Sequence, residues 1–156
     1  MIPMRRKEKQ IDDPVKIAAI FEEAQVCRLA MWDGERPYLV PLSFGFADDS
    51  LYFHSATAGR KVDVLRLHPE VCFEVETELA VEKGEKACRW GMHFKSVIGT
   101  GRAVFIEDAQ EKAAALQVIV RHYAGAEMPI EPARLKTTLV FKVVIEEMTA
   151  KGSGDV

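Results

Sequence analysis

Cysteine is scarce in this chain of 156 residues: Cys27, Cys72 and Cys88 are odd in number and far apart. With no C-x-x-C or C-x-x-C-H pair, neither a zinc-ligand spacing nor a disulfide framework is present, so no metal site is expected. Reduced thiols in a cytoplasmic setting are the simpler reading. No apolar run approaches the ~20 residues of a membrane span. The basic Arg5-Arg6-Lys7 is not followed by an apolar signal segment, so it reads as part of a solvated tail. A basic excess is missing too. Against 21 Lys and Arg stand 24 Asp and Glu, a formal charge of -3 that disfavours a nucleic-acid partner. H-E-x-x-H and any recognisable Ser-His-Asp or Cys-His spacing are absent. Gly99-Thr100-Gly101 lacks the third glycine and the following helix of a dinucleotide fingerprint, and reads instead as a bend in a strand.

What remains is the composition of a soluble globular protein, 48 % hydrophobic and 29 % charged, at the size of one domain. The expectation is a single domain over 1–156, with 1–10 and 151–156 as flexible tails. Asp13 before Pro14, with Ile17, Ile20, Phe21 and Ala24 at helical spacing, predicts a helix over 13–25. Cys27–Trp32 is a short apolar run closed by the hairpin signal Asp33-Gly34. Residues 38–46 alternate: Tyr38, Val40, Leu42, Phe44 and Phe46 share a face. Pro41 in their midst marks an edge or a bulge. Asp48-Asp49 turns the chain into a strand over Leu51–Ala56. A helix over 59–68 stops before Pro69, with Val62, Val64 and Leu65 inward. Val71, Phe73 and Val75 alternate as a strand, 77–90 loses its period and reads as a long loop, and Phe94–Ile106 alternates again. Asp108 and Glu111 resemble a capping box for a helix whose stripe is Ala109, Ala113, Leu116, Val120 and Tyr123, closed by Gly125. A loop with Pro129 and Pro132 leads to a last strand over Leu139–Glu147. Six strands joined mainly by hairpins, with three peripheral helices, predict a mainly β fold, a closed or partly closed antiparallel barrel.

Among candidate chemistry, the stretch from His54 to Lys61 stands out. A strand ends, a loop of small residues follows, and a helix opens on Gly59-Arg60-Lys61. Backbone N–H groups at a helix start suit an anion, while two cations there oppose the helix dipole at about 0.3–1 kcal/mol each. A bound anion would offset that cost, with Arg60 as a fork and Lys61 as a point charge. The alternative is two solvated surface cations. His54 adjoins this corner. His68 reads as a helix-end residue, and His93 and His122, without partners at ligand spacing, as structural ones.

The segments Met4–Lys7, Cys27–Ala30, Pro37–Phe46 (PYLVPLSFGF), Leu51–Ala56 (LYFHSA), Gly59–Asp63 (GRKVD), His68-Pro69 and Ser96–Ala103 (SVIGTGRA) occur in this order. Together they resemble the pyridoxamine 5′-phosphate oxidase-like FMN-binding split barrels, and among them the nitroimidazole-resistance (Nim) branch, over about Arg5 to Lys151. The resemblance implies a six-stranded antiparallel split barrel and a homodimer with FMN at the subunit interface. By position, Arg60 and Lys61 match the pair that holds the FMN phosphate, next to Gly59. Val40, Pro41, Leu42 and Ser43 match the strand lying along the flavin; His54, Ser55 and Ala56 match the neighbouring strand end; Ser96 matches a polar contact. His54 is the candidate catalytic residue. The implied activity is an FMN-dependent oxidoreductase acting on a small organic substrate such as a nitroaromatic, with a transiently bound nicotinamide cofactor as electron source. The alternative is a non-catalytic flavin-, deazaflavin- or haem-binding sensor or storage protein. Authentic pyridoxamine phosphate oxidases carry a C-terminal segment with a tryptophan and an arginine that read the substrate. The sequence ends at Val156 without it, so vitamin B6 oxidation is not expected. Residues 77–90, with Cys88 and Trp90, match nothing in the family.

Overall fold

The computed structural model describes residues 4–153, so the outermost parts of both expected tails, 1–3 and 154–156, lie outside the described residues. The strands are β1 (Gln10–Ile11), β2 (Cys27–Trp32), β3 (Pro37–Leu42), β4 (Gly45–Ala47), β5 (Ser50–Ser55), β6 (Glu70–Glu82), β7 (Gly91–Ile106) and β8 (Leu139–Gly152). The helices are α1 (Pro14–Glu23), α2 (Arg60–Leu67), α3 (Ala109–Ala124) and α4 (Pro132–Thr137). All strand pairs are antiparallel, in the order β3-β2-β6-β7-β8-β5-β4, with β1 added along the far half of β8.

That order explains the shape. β3 and β4 stand at opposite ends of the sheet, yet only Ser43 and Phe44 separate them in the chain. The three peptide steps from Leu42 to Gly45 span at most about 11 Å, so the sheet must curl until its ends nearly meet. β3 and β4 do not pair, and the barrel stays split along that line. Pro41 is therefore on an edge strand, where its missing N–H costs no ladder bond. The single alternating stretch expected over 38–46 is two strands because the chain crosses the split there.

Inside the curl lies an aromatic core. Phe53 stacks on Phe141 with centroids 5.1 Å apart, and Phe21 of α1 stacks on Phe46 at 4.1 Å. Val71, Phe73 and Val75 are buried as their alternation requires, and Val62, Val64 and Leu65 of α2 are buried with them. Asp13 caps α1 by accepting the Val15 N–H, and Asp108 caps α3 by accepting those of Gln110 and Glu111. Gly125 closes α3 in the left-handed conformation. Asp48 and Asp49 both take positive φ, as a two-residue hairpin turn requires.

Several expectations change. Among the described residues there are eight strands rather than six and four α-helices rather than three. Of the supposed loop 77–90, residues 77–82 belong to β6 in a long β6–β7 ribbon, while 83–90 connect the two strands with a short 3-10 turn at Ala87–Arg89. Glu78 sits at positive φ where the register shifts between Thr77 and Ala80, and beyond it the ribbon leaves the barrel. Neither face is buried there, so nothing imposes a period of two. At the C-terminus, Lys151 and Gly152 belong to β8, and Ser153 is buried, its hydroxyl accepting the Phe94 N–H and donating to the Met92 carbonyl. The buried stripe of α3 is rotated from the expected one, to Ala115 and Ile119. The short helix α4 replaces part of the expected proline loop, with Pro132 in its first turn.

The strand bend at Gly99 and Gly101 has a packing cause. A Cβ at Gly99 would stand 2.5 Å from both the Glu147 carbonyl oxygen and Phe73 Cζ, and one at Gly101 would meet the Val144 carbonyl oxygen. The β7–β8 register shifts between Thr100 and Gly101. Gly99→Ala is expected to cost about 1–3 kcal/mol through overpacking. A urea midpoint lowered at unchanged slope checks it, and an unmoved midpoint would show that the barrel wall gives way.

Candidate functional site

The corner between β5 and α2 lies across the split. β5 ends at Ser55, the small residues Ala56 to Gly59 are exposed, and Gly59 takes φ +127°, a conformation that side chains rarely adopt. No heavy atom stands within 4 Å of where its Cβ would be, so the approach to the helix start is open. Val62 and Asp63 donate to the Gly59 carbonyl, which commits the chain to α2, and no side chain caps the helix. The first N–H groups of a helix have no intrahelical partner, so those of Arg60 and Lys61 remain available.

Arg60 reaches across the split to the other edge of the sheet. Its Nη2 donates to Asp33 Oδ2 at 2.5 Å, and its guanidinium carbon lies 4.2 Å above the Tyr38 ring of β3. Arg60 is thus not simply solvated. It is held against the β2–β3 hairpin, two residues from Val40. Lys61 differs: it is half-buried, makes no ion pair among the described residues, and its pKa is lowered by burial alone. A cation kept partly out of water without a partner is the least satisfied charge at this corner.

The other expected site residues divide into two groups. On β3, Val40 and Leu42 turn inward against the core, while Pro41 is exposed on the edge and Ser43, just past the strand, is exposed too. At the end of β5, His54 is exposed opposite Val140, and Ser55 is half-buried opposite Leu139. These residues, with Ala56, Gly59, Arg60 and Lys61, gather around the split. Ser96 is remote from the β5 end along the strands but in line with the end of β3, because it faces Glu76, next to the Val75 that faces Cys27, the partner of Leu42. It pairs with Lys151 on β8, twelve positions along that strand from the Leu139 that faces Ser55. At ~3.3 Å per residue this is about 40 Å of strand.

Asp33 and Tyr38 were not singled out by the sequence beyond a turn signal and a place on one face of an alternating stretch, yet both touch Arg60. The cysteines stay outside the corner. Cys27 is buried and its thiol is pushed up to about 12, chiefly by burial, while Cys72 and Cys88 are free and exposed. His122 is structural as expected, its ring bonded to the Ala24 carbonyl at 2.8 Å. Among the described residues no cluster of His, Cys, Asp and Glu is able to hold a metal, and no helix is long and apolar enough to cross a membrane.

The Asp33 carboxylate accepts the N–H groups of Arg36 at 2.8 Å and Glu35 at 2.9 Å besides the guanidinium. These bonds hold its pKa down to about 2, the Arg36 and Glu35 amides first and Arg60 after them. A carboxyl depressed on folding stabilises the fold above its unfolded pKa of ~3.9, and that contribution is lost as pH falls through about 2. Carboxyl NMR titration should place the Asp33 midpoint near 2, and in Arg60→Gln still well below the ordinary range. A return to the ordinary value in that variant would make the guanidinium, not the turn, the dominant cause.

With this geometry in hand, comparison with known proteins is informative. No curated protein matches the chain. A candidate 5-nitroimidazole antibiotic resistance protein of Bacteroides thetaiotaomicron VPI-5482 superimposes with a TM-score of 0.81 at 32% identity, over 91% of this chain and 85% of that one. The flavocytochrome Anf3 of Azotobacter vinelandii gives 0.82 at 23% identity, over 98% and 73%. A candidate pyridoxamine 5′-phosphate oxidase of Listeria innocua gives 0.58 at 24% identity, over 86% and 94%. The last two likenesses, at that identity, speak to the fold alone. The family model described as pyridoxamine 5′-phosphate oxidase matches residues 13–152, nearly the whole length, and the chain belongs to that family.

Proposed function

We infer that this protein binds FMN at the β5–α2 corner and works as an FMN-dependent oxidoreductase on a small organic acceptor such as a nitroaromatic. The observation that carries the reading is Lys61, a half-buried cation without an ion-pair partner among the described residues, beside Arg60 at an uncapped helix start. A phosphate there meets an ammonium, a guanidinium and free backbone N–H groups, the donor set that a dianion needs. The open space at Gly59 leaves room for its oxygens. The likeness to a candidate nitroimidazole-resistance protein supports the choice of acceptor.

Each residue has a distinct part. Lys61 and Arg60 neutralise the phosphate, and Arg60 does so from a position braced by Asp33 and Tyr38. The edge strand β3 offers backbone groups along Val40 to Ser43 to a planar ring. His54 offers an imidazole N–H, as a proton donor or hydrogen bond, to an acceptor being reduced. Bound flavin supplies the two-electron chemistry, drawn from a reduced nicotinamide cofactor that docks transiently. Ser96, twelve β8 positions along the strands from Ser55, is assigned to the site of a second copy in a homodimer, where the family resemblance puts the flavin. Exposed Leu39, Ile98, Val104 and Val144 supply apolar surface for that contact.

Purified protein should show the two absorption bands of oxidised flavin; a Soret band in their place would favour a haem-binding role. Arg60→Ala/Lys61→Ala should weaken FMN by about 3–6 kcal/mol, two to four orders of magnitude, and leave riboflavin nearly unaffected. Fluorescence quenching measures both, and equal losses would mean a damaged fold. His54→Ala should keep flavin bound while slowing acceptor reduction about 10²-fold or more. Wild-type turnover on every acceptor tested would make His54 structural.

A further inference from the structure

On the other side of the β5–α2 loop, a cleft of about 230 Å³ opens where the ends of β7 and β8 meet α2, α3 and α4. Its polar lining is Thr57, Arg66, Glu107, Lys112, Lys136 and Thr138, so three cations face one carboxylate. Lys112 gives one of its N–H bonds to the Leu135 carbonyl at 3.1 Å and keeps two free. Arg66 holds its guanidinium carbon over the Phe105 ring, 4.7 Å from the centroid, a contact that uses none of its N–H donors. Among the described residues, Arg66, Lys136 and Glu107 form no ion pair.

Three like charges drawn to one concavity repel each other, whereas a merely solvated surface interleaves the two signs. The excess of donors over acceptors fits an anion with several oxygens. The cleft is smaller than the ~300–1,000 Å³ that houses a whole small ligand, so it suits one group of a larger molecule. Thr57 is two residues from Gly59, which sets the cleft beside the corner described above.

The structure assigns this cleft to a second phosphate, that of an adenine nucleotide lying next to the flavin phosphate. Its placement rests on reading Gly59–Lys61 as the first phosphate site. Two ligands carry such a group there: FAD, through its adenylate half, and a nicotinamide dinucleotide docking on bound FMN.

The test uses the full chain, with ADP as a probe that contains no flavin, alongside FMN, FAD and NADPH. ADP should bind the wild type calorimetrically, and Lys112→Gln/Lys136→Gln should weaken it about tenfold or more while FMN affinity stays unchanged. Glu107→Gln, which removes the lone carboxylate, should tighten ADP several-fold and guards against a variant that merely folds poorly. If the tenfold loss extends to FAD, the second phosphate is that of FAD; if it extends to NADPH binding to the FMN-loaded protein, it is that of the reductant. No ADP binding to wild type, equal affinity in the lysine variant, or a parallel loss of FMN would each overturn the assignment. Failure of the wild type to bind FMN would instead refute the flavin reading, which the ADP titration does not depend on.

Discussion

Two residues, Ser43 and Phe44, join the strands at the two ends of the eight-stranded sheet, and the architecture follows from that short link. A sheet whose ends are tied so closely cannot lie open, so its inner face becomes a closed apolar volume filled by Phe21, Phe53, Phe73 and Phe141. The link itself is fixed from both sides. Phe44 is fully buried with its ring 4.6 Å from that of His122, and its N–H donates to the Tyr123 hydroxyl at 3.0 Å. The same hydroxyl donates to the Gln25 carbonyl at 2.8 Å, so the end of α3 ties the link to the α1–β2 connection. Gly45 completes the fit, because a Cβ there would stand 2.7 Å from the Val118 carbonyl oxygen of α3.

Leaving the barrel split rather than sealed has a chemical consequence. The edge of β3 keeps unpaired backbone groups, and the β5–α2 corner lies across from them. Arg60 spans the gap, held by an aspartate that two backbone amides already keep ionised and by the face of Tyr38. Its exposed salt bridge contributes little to stability by itself, so its importance is geometric: it orients a cation on the helix that would otherwise be free to swing into water. Lys61 next to it has no such brace and is desolvated. One cation positioned and one unsatisfied give this corner the charge that suits an anion.

The long β6–β7 ribbon shows where sequence patterns stop being informative. Up to Thr77 each strand has one face in the core, and the alternation of Val71, Phe73 and Val75 made it legible. Past Glu78 the ribbon is exposed on both faces, and Leu79, Val81, Trp90 and Met92 remain in water beside charged neighbours. Cross-strand hydrogen bonds and the polar contacts of Glu78 and Glu82 with His93 and of Glu78 with Lys95 hold it there, and these leave no apolar period in the sequence. The final turn of β8 was hidden for a similar reason. Lys151 and Gly152 look like a polar tail, and only pairing with β7 and β1 makes them strand.

The sequence by itself determined whatever depends on near neighbours: the caps at Asp13 and Asp108, the Asp48-Asp49 turn, the apolar faces of β6 and α2, and the adjacency of Gly59, Arg60 and Lys61. These rest on relations of one to four residues, which backbone geometry converts directly into structure. It also revealed the family, because those local segments recur in a fixed order. The tertiary structure alone decided that Arg60 meets Asp33, 27 positions earlier, and that Lys61 has no ion-pair partner among the described residues. It also decided that Ser96 stands about 40 Å of strand away from Ser55. Those outcomes depend on how far the sheet curls and where its edges come to rest, and packing of the whole core sets that curl.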